Sequence, residues 1–106
     1  MAEARKATPV TIDELLRTAF YNRKTNVNKL FTDIKEDNIV DGEIIDRRIE
    51  DMRYSTFYQK VKPRSGKDIQ IPLLLYILDF MGYAVLVQDL HNPEKIYSLY
   101  SENDPL

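Results

Sequence analysis

The ten residues from Ile71 to Phe80, IPLLLYILDF, contain a single charge, Asp79. A helix of that composition is apolar on almost every side, so it fits only at the centre of a core with other helices around it. At ~15 Å it reaches about half the thickness of a bilayer's hydrocarbon, so it cannot span a membrane. Pro72 suits a first helical turn, where its missing N–H costs nothing. Gly82 provides the left-handed residue that ends such a helix. The remainder of the chain must therefore supply amphipathic segments to cover this one.

Two such segments lie near the start. Thr11-Ile12-Asp13-Glu14 is a capping box, in which the Thr11 hydroxyl accepts the Glu14 N–H. Ile12, Leu15, Leu16, Ala19 and Phe20 then follow the spacing of one helical face, and Val27, Leu30, Phe31 and Ile34 repeat it. The intervening YNRKTN predicts a break between two helices, or a bend in one long one. KEDNIVDG, residues 35–42, reads as a connection, with Asp41 as the N-cap of a helix over 41–52. That helix would turn Ile44, Ile45, Ile49 and Met52 inward and pair Arg47 and Arg48 with Asp51 or Glu43. Beyond Gly82, YAVLVQD and KIYSLYS flank a turn-forming HNPE, which predicts a β-hairpin of 84–89 with 95–100. It is apolar on both faces, so one face can pack on the helices and the other calls for a second copy of the chain. The resulting plan is a leader over 1–10, a helical domain over 11–83, the hairpin within 84–101 and a fraying tail over 102–106. The expected core is Leu16, Phe20, Leu30, Phe31, Ile45, Ile49, Phe57, Leu74, Leu75, Ile77, Leu78 and Met81.

Composition narrows the function. A chain of 106 residues, 43% apolar, buries one modest core. It has no Cys, hence no disulfide, thiolate metal site or Cys nucleophile. The opening MAEARKATPV lacks the apolar centre of a signal peptide, which predicts a cytoplasmic location. The lone His91 falls in a turn without a matched nucleophile, and the acids of 36–51 lack the ligand spacing of a calcium loop. No phosphate loop or zinc pattern is present. The reading is of a non-enzyme, with no cofactor, metal or small-molecule ligand.

Charge is distributed unevenly. Residues 37–51 carry a net −4, residues 52–67 carry +5 with no acid among them, and residues 68–106 carry −5. In the basic block, RYSTFYQKVKPRSGK, Phe57 and Val61 share one helical face. Tyr54, Ser55, Tyr58, Gln59 and Lys62 fall toward the other. Pro63 stops the helix and Ser65-Gly66 turns the chain. An apolar heel, a polar outer face and a basic exit suit a nucleic-acid groove; a solvated basic helix is the plainer alternative.

The string MRYSTFYQKV resembles the turn and recognition helix of phage-repressor-like (Cro/CI, xenobiotic-response-element type) helix-turn-helix domains. IQIPLLLYILDFMGYAVLV is similar to the helix those domains place after the following loop. With 27–52 as the two preceding helices, the resemblance runs from Val27 to Val87. It implies a mainly α, lambda-repressor-like bundle of about five helices, here with a C-terminal β-hairpin. In such a bundle 41–52 crosses the DNA backbone and 53–62 lies in the major groove. Ser55, Tyr58 and Gln59 then match positions that face base edges. Tyr54, Lys60, Lys62, Arg64 and Lys67, with Arg53 beside them, match positions near phosphates. The implied function is a sequence-specific, double-stranded-DNA-binding transcriptional regulator of phage or mobile-element type, a homodimer on a palindromic operator. Glu50-Asp51-Met52 stands where the family usually has a turn Gly. The alternative is a dimeric protein-binding module, such as an antitoxin or phage-encoded inhibitor, suggested by the acidic net charge and the aromatic ends at Phe20-Tyr21 and Tyr97–Tyr100.

Overall fold

A computed structural model describes residues 7–62 and 67–101. Most of the leader, the 63–66 segment that includes Arg64, and the expected frayed tail lie outside the described residues. Within them the chain forms five helices and two small antiparallel hairpins. None of these helices is long and apolar enough to cross a membrane.

The first two helices are separate. Helix α1 (Ile12–Asn22) starts where the Thr11 hydroxyl accepts the Glu14 N–H at 3.1 Å. It ends in a reversal: Lys24 N–H reaches the Tyr21 carbonyl and Thr25 N–H the Phe20 carbonyl, with Lys24 left-handed at φ 52°. Helix α2 (Val27–Asp37) starts at once, with the Asn26 side chain accepting the Lys29 N–H at 2.8 Å.

The expected helix over 41–52 is replaced by two elements. Strands β1 (Ile39–Val40) and β2 (Glu43–Ile44) pair across Asp41-Gly42, whose φ values are 53° and 79°. Two consecutive left-handed residues make the type I′ turn that a two-residue hairpin requires, so Asp41 is a turn residue and not an N-cap. Helix α3 (Arg47–Asp51) begins only at Asp46, whose carboxylate accepts the Arg48 N–H at 2.9 Å. Ile45, expected in the core, is 67% exposed, because the hairpin carries it away from the helical stripe. Arg48 also has a partner that was not expected: its guanidinium meets the Asp46 carboxylate at 2.8 Å. That ion pair and its hydrogen bonds hold the Asp46 carboxyl below its ordinary range and the Arg48 guanidinium above its own.

Asn38 closes the hairpin at its base. Nearly fully buried, it donates its side-chain amide to the Asp46 carbonyl (2.8 Å) and accepts the Asp46 N–H (2.9 Å). Its own carbonyl accepts the Ile45 N–H at 2.8 Å.

Helix α4 (Tyr54–Val61) and helix α5 (Ile71–Phe80) complete the bundle. Helix α5 runs through the core as its composition requires, with Leu73, Leu74, Ile77 and Leu78 buried. Around it lie Leu16, Ala19, Val27, Leu30, Ile34, Phe57 and Val61. Leu75, Phe20, Phe31 and Ile49, expected inside, are only partly buried, and Leu73 takes the interior place assigned to Leu75. Gly82, at φ 87°, ends α5 as expected: its N–H reaches the Asp79 carbonyl and Tyr83 N–H reaches the Leu78 carbonyl. Arg23 seals that end from α1, donating Nε to the Met81 carbonyl at 2.7 Å and lying 4.1 Å from the Tyr83 ring centre.

Strands β3 (Leu86–Gln88) and β4 (Ile96–Ser98) form the expected C-terminal hairpin. Its turn is tied by the Asp89 carboxylate, which accepts the N–H groups of His91 and Asn92. The radius of gyration, 16.0 Å, exceeds the ~13 Å of a compact chain of this length, and the long dimension is 53 Å.

Candidate nucleic-acid interface

Helix α4 forms because Phe57 and Val61, four residues apart, are driven into the core; they are 1% and 2% exposed. Two extended residues, Met52 and Arg53, separate it from α3, and the Arg53 carbonyl accepts the Phe57 N–H at 3.0 Å to start the first turn. Eight residues make a rod of ~12 Å.

A chain of rings fixes the rotation of this rod. Phe57 meets Phe31 of α2 at 5.5 Å between centres, Phe31 meets Tyr54 edge-on at 5.4 Å, and Tyr54 meets Tyr58 at 5.9 Å. Edge and tilted contacts of this kind are favourable in their own right. Tyr54 and Tyr58 are thereby held against the body while still about a third exposed. On the far side of Phe31, the Lys35 ammonium lies 5.3 Å from the ring centre and donates to the Glu50 carbonyl. Phe31 thus braces α2 against α4, and Lys35 ties α2 to α3.

The face turned outward carries Ser55, Gln59 and Lys62, with Tyr58 at one margin and Thr56 and Lys60 at the other, all exposed. Arg53 stands exposed at the N-terminal end. Lys62 caps the C-terminal end, its N–H bonded to the Tyr58 carbonyl at 2.8 Å. Lys67 joins Lys62 in a cleft of about 400 Å³ against α1, where Ile12, Leu16 and Phe20 form the apolar wall. Of the nine residues singled out by sequence, eight are thus described and exposed, and Arg64 lies outside the described residues.

Sequence reasoning missed Arg17, which lines the same cleft as Lys62 and Lys67 and forms an ion pair with Asp13 at 2.8 Å. Its place on the polar side of the α1 stripe was visible, but nothing local revealed which element that side faces. The helix before α4 is also shorter than expected, five residues over Arg47–Asp51, since 41–46 belong to the hairpin and its exit. Chemically, α4 offers an amide, two kinds of hydroxyl and cations at both ends on a rigid support. Comparison with protein-family models, with curated proteins and with solved structures gives no match.

Proposed function

We propose that the chain is a sequence-specific double-stranded-DNA-binding regulator of the phage-repressor-like helix-turn-helix kind, with α4 as its recognition helix and two copies acting on a palindromic operator. The observation that carries this is the outer face of α4: Ser55, Gln59 and Tyr58 exposed on a helix whose rotation is set by Phe57, Phe31 and Tyr54. In this reading Gln59 makes a paired contact to adenine N6 and N7, and Ser55 and Tyr58 reach neighbouring edges. Arg53, Tyr54, Lys60, Lys62, Arg64 and Lys67 hold the phosphates on either side. The shortened α3 crosses the backbone in the role first given to 41–52.

Selection of bound sequences from a random duplex library tests the proposal first. On the selected site, Gln59→Ala should cost ~1–3 kcal/mol and relax preference at one base pair per half-site. Lys67→Ala should weaken every duplex alike and lower the salt slope by ~1. If both variants act in the same sequence-blind way, α4 does not read bases.

The exposed isoleucines of the small hairpin, Ile39, Ile44 and Ile45, ringed by Asp37, Asp41 and Glu43, favour the second reading of a protein-binding module. A random duplex library that yields no enriched sequence even at low salt would select it.

A further inference from the structure

The C-terminal hairpin exposes its backbone as well as its side chains. Leu86 lies opposite Ser98, Val87 opposite Tyr97 and Gln88 opposite Ile96. The Leu99 N–H donates to the Val85 carbonyl at 2.7 Å and the Asp89 N–H to the Lys95 carbonyl at 3.1 Å. In an antiparallel ladder bonded and non-bonded pairs alternate, so 85–99, 87–97 and 89–95 exchange bonds within the hairpin. The N–H and C=O groups of Ile96, Ser98 and Tyr100 therefore point outward along the free edge of β4, and those of Leu86 and Gln88 along the edge of β3. Among the described residues nothing bonds to these outward groups.

The flanking side chains are largely exposed, although Leu99 and Tyr100 also border a cleft against α5. Leu86, Val87, Ile96, Tyr97, Leu99 and Tyr100 are between 44% and 79% exposed. Four of them, Ile96, Tyr97, Leu99 and Tyr100, border the free edge itself. Charged residues or prolines commonly guard a free edge, but Ile96 to Ser101 contains neither.

We infer that two copies of this chain join edge to edge along β4, making one four-stranded antiparallel sheet with its two-fold axis at Ser98. That register sets Ile96 opposite Tyr100 of the other copy, Tyr97 opposite Leu99 and Ser98 opposite Ser98. It opposes aliphatic to aromatic side chains at four positions and brings no like charges together; Lys95 falls opposite Ser101. The strand is its own complement, as a two-fold interface requires. The β3 edge offers only aliphatic and amide side chains, so the aromatic edge is the joining one. The inference rests on the dimer proposed above and names the strands that build it.

The test uses the full chain without DNA, so its failure is separate from any failure of base reading. Wild type should sediment as a dimer across a micromolar dilution series. Ser98→Pro removes only an outward N–H, which an edge strand tolerates, and should weaken the dimer at least tenfold with an unchanged helical spectrum. Leu86→Pro makes the same change on the other edge and should leave the dimer intact. Hydrogen exchange on wild type gives a readout that does not depend on the variants folding: the Ser98 amide should be protected in proportion to dimer, and the Leu86 amide should exchange freely. A monomeric wild type, a dimeric Ser98→Pro, a Leu86→Pro that dissociates, or an unprotected Ser98 amide in a dimer each overturns the inference.

Discussion

Replacing Asn38 with alanine removes the one side chain that closes the hairpin ahead of α3. Its amide makes two bonds to the same residue, donating to the Asp46 carbonyl at 2.8 Å and accepting the Asp46 N–H at 2.9 Å. Asn38 is 4% exposed, and both bonds lie in partly buried surroundings, so water replaces the lost partners poorly. A polar group stranded in this way costs ~1–3 kcal/mol, and two on one residue, partly rehydrated, give ~2–4 kcal/mol. The Asn38 N–H still ends α2 and its carbonyl still accepts the Ile45 N–H, so the fold should survive in weakened form. Urea unfolding followed by circular dichroism should show a lower midpoint with an unchanged slope. Asn38→Asp sharpens the test. It keeps an acceptor for the Asp46 N–H but sets a carboxylate against the Asp46 carbonyl, beside Asp37. The new carboxyl is held above its unfolded value, so its penalty is small in acid and grows as pH rises past ~4. A loss below ~0.5 kcal/mol for Asn38→Ala, or a pH-independent Asn38→Asp, would refute the brace.

Lys24 occupies a left-handed position at φ 52° that glycine adopts without strain, so Lys24→Gly should raise stability by ~0.5–1 kcal/mol in the same urea experiment. The Tyr83 hydroxyl is buried and has no hydrogen-bond partner among the described residues; Tyr83→Phe should be neutral or stabilising by ~1 kcal/mol while Arg23 keeps its place over the ring. Burial, with the nearby charges of Asp37 and Asp46, pushes the Tyr76 phenol above its ordinary 10.0. The folded form therefore holds that proton longer than the unfolded chain. Its contribution is complete below pH ~10 and is lost as pH rises toward the folded value, and Tyr76→Phe should flatten this alkaline decline in a thermal-melt series.

The helical frame was legible because its signals are local. Thr11 and Asn26 cap helices that begin one residue later, and the Ile71–Phe80 run dictated its own burial. The misreading at 41–46 arose where two local signals compete. Ile44, Ile45 and Ile49 fit a helical stripe, while Asp41-Gly42 between apolar pairs is a strong hairpin signal. A two-residue turn satisfied by its own backbone prevailed, and the stripe had no need to form. Asn38 and Arg23 were illegible for another reason. Each acts on backbone groups that any sequence would present, and Arg23 does so 58 positions away. For the candidate site, the exposed residues of α4 followed from the Phe57–Val61 spacing, but the ring contacts through Phe31 depend on how α2 crosses α4.

The charge pattern acquires a direction once the fold is known. Acids surround the small hairpin at Asp37, Asp41 and Glu43, whereas Lys62, Lys67 and Arg17 line one cleft at the end of α4 together with Asp13, the ion-pair partner of Arg17, and Asp68. A duplex approaching the hairpin would meet a repulsive surface with exposed isoleucines, which gain nothing from phosphate. One approaching along α4 would meet cations at both ends of a polar face. With a formal net charge of −2, long-range attraction is weak, and binding must come from contacts made after encounter. Two copies joined by β4 would present two such faces, and half-site affinities then act in concert through effective concentration. On the function proposed above, such an acidic dimer would bind its operator through paired short-range contacts and leave other DNA largely alone. Its discrimination should therefore persist as salt rises, while its already small affinity for random duplex disappears.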